Sequence, residues 1–117
     1  MNWTVFHVAL GGAIGSILRY LTNAAFTAPV ATLFVNVAGS FVMGILFVAL
    51  ANRGPLPALL MTGVLGGFTT FSAFSLDALK LWQSGQTFAA FAYVGGSVIL
   101  SLTAVALGAA LAREAFA

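Results

Sequence analysis

Four apolar runs separated by only three short polar turns constrain what this chain can fold into. They cover about residues 3–25, 30–51, 56–82 and 87–111, and each meets the roughly 20 residues a helix needs to cross a bilayer. The hydrocarbon layer holds no water, so backbone N–H and C=O groups must be satisfied within the protein, and a helix does this segment by segment. Charged residues make up 5% of the chain and hydrophobic ones 62%, against about 25% charged in soluble domains. The expected fold is an all-α integral membrane protein: one domain of four transmembrane helices, with no room among its 117 residues for a soluble domain. The first run lacks the positive n-region and cleavage pattern of a signal peptide and is read as a retained helix, with His7 at the membrane surface.

The scarcity of polar chemistry excludes several functions. A net charge of +2 arises from four cations and two acids, so the basic character reflects few acids and offers no patch for nucleic acid. Cysteine is absent, which removes disulfides, thiolate metal sites and a cysteine nucleophile. No nucleophile and base are paired in the pattern of an enzyme.

The third run is interrupted from within, by Gly66-Gly67-Phe68-Thr69-Thr70-Phe71-Ser72-Ala73-Phe74-Ser75. Paired glycines are poor helix formers, β-branched threonines are stiff, and the hydroxyls at 69, 70, 72 and 75 can bond backbone groups in place of the helical ladder. A helix broken mid-membrane over residues 66–70 is expected. Unwound backbone at membrane depth survives where it is buried in protein or lines a cavity, and there its carbonyls become ion ligands. Phe71 and Phe74 share a face beyond the break, as do Thr70, Phe74 and Asp77. Such rings serve as core packing, or their positive edges can meet an anion that has lost its water.

Other polar side chains stand out against the apolar background. Asn36 lies one turn after Thr32 and one before Ser40 on the second helix, as an interhelical hydrogen bond or as a donor to a passing anion. Tyr93, Ser97 and Ser101 make a hydroxyl stripe on the fourth, either bonded back to their own helix or lining a path. Arg19 sits inside the first run, where a charge snorkels or attracts anions at a pore mouth. Gly11 with Gly15, Gly12 with Ser16, and Gly95, Gly96 and Gly108 are candidate points of close helix approach.

Orientation follows the bias of Lys and Arg near helix ends, and here there is none: Arg53 and Arg113 fall on the side of the termini, Arg19 and Lys80 on the other. A chain without bias inserts both ways. Four thin helices enclose a pathway poorly alone, so an antiparallel, dual-topology homodimer with its broken helices at a two-fold axis is expected.

These features together resemble the CrcB/Fluc family of fluoride channels over nearly the whole chain. The motifs are Gly15 to Tyr20 in the first helix, Thr32 to Gly39 in the second and Gly66 to Ser75 in the third. The resemblance implies passive, fluoride-selective export through two antiparallel pores of a homodimer in the bacterial inner membrane. It also assigns roles. Phe71 and Phe74 are similar to the family's phenylalanine box, and Asn36 to its pore asparagine. Thr70, Ser72, Ser75, Tyr93, Ser97 and Ser101 are similar to hydroxyls of the fluoride pathway, and Arg19 to a vestibule arginine. The backbone carbonyls of Gly66 and Thr69 are similar to those holding a structural sodium ion (Na+) at the dimer interface. Asp77 departs from the pattern, standing where some members carry a longer glutamate. A small multidrug-resistance-type transporter is the rival reading; proton-coupled export needs an embedded carboxylate in the first helix, and no Asp or Glu precedes Asp77.

The topology reading is checked with a C-terminal tag probed from both sides of the membrane. Tags are expected on both faces in comparable amounts, and several lysines added to the 52–55 turn are expected to force one orientation. A native chain tagged on one face alone would overturn dual insertion.

Overall fold

The computed structural model describes residues 3–116 and is all-helical. Helix α1 spans Trp3–Ala25 and α2 spans Val30–Ala49. Helix α3 covers Pro57–Leu65 in π-helical geometry and closes with the α-helical turn Gly66–Phe68; α4 is Phe71–Gln83 and α5 is Thr87–Ala115. Four segments among the described residues are long and apolar enough to cross a membrane, with Pro57–Gln83 counted as one.

Helices α2 and α4 stop for local reasons. After α2 the chain turns through Asn52 and Gly54, both at positive φ (61° and 60°), and Pro55 follows. The end of α4 is a Schellman cap: Gly85 takes φ 83°, its N–H donates to the Trp82 carbonyl at 3.1 Å, and the Gln86 N–H reaches back to Leu81 at 3.0 Å. These bonds occupy carbonyls that a helix end otherwise leaves unpaired, and the left-handed φ there suits glycine. Helix α5 runs past Leu111 to Ala115, because Ala104, Gly108, Ala109 and Ala112 form a small-residue face buried along its C-terminal half.

The packing divides into two close pairs. Helix α1 lies against α3, and α2 lies against α5, while α4 also leans on α5. A Cβ on Gly11 or Gly15 would collide with the carbonyl oxygen of Leu59 or Val64, so backbone meets backbone across the first pair. The second pair is reciprocal, since a Cβ on Gly44 would strike the Val105 carbonyl and one on Gly108 the Phe41 carbonyl. Lipid tails are as apolar as leucine, so helices in a membrane are held by such close van der Waals approach and not by burial from water. Gly95 and Gly96, expected as approach points, would meet nothing within 4 Å if they carried a Cβ. The reason is that α2 engages α5 further along, at Gly108. Large apolar side chains such as Phe88, Phe91 and Ile99 point outward, as the lipid-facing surface of a membrane protein requires.

Two features differ from the sequence expectation. The non-helical backbone is narrower than residues 66–70, because Gly66–Phe68 stay helical and only Thr69 and Thr70 are extended. The glycines hold their helix because Gly67 packs on the backbone of Gly12, while the threonines have side chains that supply other partners. The π-helical geometry of Pro57–Leu65 is the second difference.

Gly44→Leu is expected to lower the stability of the folded protein by about 1–3 kcal/mol, the usual cost of overpacking, since its side chain meets the backbone of Val105 and Ala109, which cannot swing away. Unfolding with a denaturing detergent, compared with the native chain, checks this.

Candidate functional site

The site is built on the two extended residues between α3 and α4. Thr69 has φ −79° and ψ 156°, and Thr70 has φ −152° and ψ 126°, so the chain steps out of the helix and back into it. Each threonine has a local reason to be there. Thr69 donates its hydroxyl to the Leu65 carbonyl at 2.9 Å, the same oxygen its own N–H uses, and so ends α3 with a doubled bond. Thr70 is the N-cap of α4: its Oγ1 accepts from the Ala73 N–H at 3.1 Å, satisfying a donor that the start of a helix leaves open.

Two groups from other helices hold the step. Asn36 of α2 pairs with the Thr70 backbone in both directions, its Oδ1 accepting from the Thr70 N–H at 2.8 Å and its Nδ2 donating to the Thr70 carbonyl at 2.9 Å. Arg19 of α1 donates from Nε to the Gly67 carbonyl at 3.1 Å. These contacts decide which carbonyls at the break lose their usual donors. In a continuous α-helix the N–H of residue 70 closes on the carbonyl of 66, and that of 73 on the carbonyl of 69. Here the first is taken by Asn36 and the second by Thr70 Oγ1.

Beside the step lies an open cavity of about 390 Å³. Its polar wall is Asn36, Ser40, Thr69, Thr70, Ser97 and Ser101, and Phe71 and Phe74 stand among them. Phe74 is 8% exposed and Phe71 78%, so one ring is fixed in the wall and the other is open on this chain's surface. Their centroids are 5.5 Å apart, and Phe74 continues to Tyr93 at 5.2 Å, with both pairs tilted. Ser97 Oγ is buried without a hydrogen-bond partner among the described residues. A hydroxyl in that state is costly, and it has a donor to give to whatever enters the cavity.

The remaining sequence candidates lie elsewhere. Tyr93 is buried behind Phe74, where its hydroxyl donates to Asp77 Oδ2 at 3.2 Å. Ser75 bonds back to the Phe71 carbonyl at 2.9 Å, and the exposed Ser72 stands 3.3 Å from Thr70 Oγ1. Arg19, the vestibule candidate, donates to the backbone of α3 at Gly67. Gly39, Ser40, Met43, Val98, Leu102 and Val105 complete the cavity and were missed. Ser40 carried a signal, being one turn from Asn36; the apolar residues carried none, since every face of these helices is apolar.

A family described as CrcB-like protein, Camphor Resistance (CrcB), matches residues 6–109. The Fluoride-specific ion channel FluC of Cereibacter sphaeroides is 55% identical over 94% of each chain. Proteins of the same name from Paracoccus denitrificans and Rhizobium meliloti are 49% and 50% identical; the first match covers 100% of both chains, the second 91% of this chain and 93% of its relative.

Arg19→Leu is expected to lower stability by about 1–3 kcal/mol, because it strips a charged donor from the Gly67 carbonyl where no water replaces it. Thermal unfolding in detergent checks it. A charge serving only to attract anions at a pore mouth would leave stability at the native value.

Proposed function

The chain belongs to the CrcB family, and from that premise we propose that it is a fluoride-selective channel letting the anion leave the cytoplasm passively across the inner membrane. It is a multi-pass membrane protein and not an enzyme. The observation that carries the proposal is the buried, unpartnered Ser97 hydroxyl on a cavity walled by Asn36, Thr70, Ser101 and the rings of Phe71 and Phe74. Fluoride is small and strongly hydrated, so a path must replace its water with several donors while holding it weakly enough to release it. Hydroxyls, the second N–H of the Asn36 amide and phenylalanine ring edges give moderate attraction of this kind. No Lys or Arg lines the cavity to trap the anion. A larger, less hydrated anion gains less from the same donors and fits the path less well.

The open side of the cavity and the exposure of Phe71 support a second, antiparallel copy of the chain completing the pathway, with the third span broken at membrane depth. Unbiased charge at the helix ends permits that assembly. A structural sodium ion fits the break. The carbonyls of Gly66 and Thr69 both have their helical donors diverted, and among the described residues no cluster of three or more His, Cys, Asp or Glu stands ready for a metal of higher charge. Those carbonyls, from two copies, would hold the ion, whose charge would offset the negative ends of the two helices. Arg19 engages Gly67 between them and leaves both oxygens out of its bond.

Reconstituted alone into liposomes, the protein is expected to pass fluoride and exclude chloride. Phe74→Ile, which removes the ring edge at similar bulk, and Asn36→Asp, which replaces a donor with a repelling charge, are expected to cut fluoride efflux at least about 100-fold, as loss of a key coordinating group does. Parental efflux from both assembled variants would overturn the pathway.

A further inference from the structure

The amide of Asn36 is placed on the cavity wall, yet its two strongest contacts are with backbone. Both of its polar atoms are engaged by Thr70, in a reciprocal pair like the one that joins adjacent strands. Its position on α2 is rigid, because Thr32, Val35 and Gly39 around it are buried, and Gly39 lies directly against the Thr69 methyl and the Phe68 ring. The partner it holds is the N–H that would otherwise close on Gly66.

From this we infer that Asn36 is a positioning residue for the cation site: its pair with Thr70 keeps the Gly66 carbonyl free to serve as a ligand. The inference rests on the sodium reading above. The physical reason is the absence of alternatives. In a membrane interior the Thr70 N–H has no bulk water to turn to, so when Asn36 is removed the nearest acceptor is the Gly66 oxygen, one helical turn back. The helix then closes across the step, and one of the two carbonyls per chain that would face the ion is lost. Asn36 therefore joins two functions, since the same side chain that lends one N–H to the anion cavity sets the cation ligands behind it.

A residue that merely donates to an anion makes a different prediction, which allows the two to be separated without measuring flux. The purified native protein is unfolded thermally in detergent while sodium replaces N-methylglucamine at constant ionic strength. The native chain is expected to show saturable stabilisation by sodium. Asn36→Ala is expected to raise the sodium concentration for half the effect by about tenfold, the factor that two hydrogen bonds of ordinary net strength carry. Asn36→Ser keeps a polar group on the wall but is too short to span to Thr70, and it is expected to shift as far as alanine. Ser97→Ala, on the same wall without contact to the step, is expected to leave the half-point where it is. An unchanged half-point in Asn36→Ala, or in Asn36→Ser if the alanine variant does not fold, overturns the inference. A serine variant that behaves as native beside a shifted alanine variant does the same. Absence of any sodium effect in the native chain would instead overturn the sodium reading itself, and this inference with it.

Discussion

In a hydrocarbon layer a backbone that leaves its helix must bring its own partners, and the bonds around Thr69 and Thr70 meet that demand. The Thr69 hydroxyl doubles the bond to Leu65, Asn36 takes both the N–H and the carbonyl of Thr70, Thr70 Oγ1 caps Ala73, and Arg19 covers Gly67. A break placed without these donors would leave unpaired groups at a cost of several kcal/mol each. Helices α1 and α2 contribute to an interruption in the third span, so the step belongs to the bundle and not to the local sequence alone.

The packing serves the same end. Arg19 can reach Gly67, and Asn36 can reach Thr70, because α1 and α2 approach their neighbours at backbone distance. Gly11 and Gly15 set that distance against α3, Gly39 sets it between α2 and the Thr69 side chain, and Gly44 and Gly108 set it between α2 and α5. Helix α5 then holds the opposite wall of the cavity, where Ser97 and Ser101 face the step, with Tyr93 behind Phe74. Side chains on the lipid side need no partners, and their exposure costs nothing in that solvent.

Charge is kept apart from the cavity. The cation of α1 is engaged with a carbonyl, and the buried Asp77 accepts from Tyr93 behind the Phe74 ring. What remains on the wall are neutral donors and ring edges, of which the Ser97 hydroxyl is unmatched. Neutral donors attract an anion less than a full charge does, in keeping with the proposed pathway.

Much of this was legible in the sequence, because length and hydropathy alone dictate four spans, and turn residues such as Asn52, Gly54 and Gly85 mark where they end. Residues that lipid should reject, among them Asn36, Thr70, Ser97 and Ser101, also announced themselves, and they gather at one cavity. Three things were decided only by tertiary structure. The first is where the helix yields: the Gly66-Gly67 pair stays helical with α1 packed on Gly67, against the glycines' own propensity. The second is the partner of each polar group, since Arg19 and Asn36 are separated from residues 67 and 70 by 48 and 34 positions and meet them only when the helices assemble. The third is which glycines bring helices together, a choice among chemically identical residues that Gly108 makes against α2 and Gly95 does not. Hydrophobicity and local propensity are properties of short segments and can be read along the chain. Hydrogen-bond partners and close approach depend on how segments meet, and in a chain apolar on every face no periodicity records it.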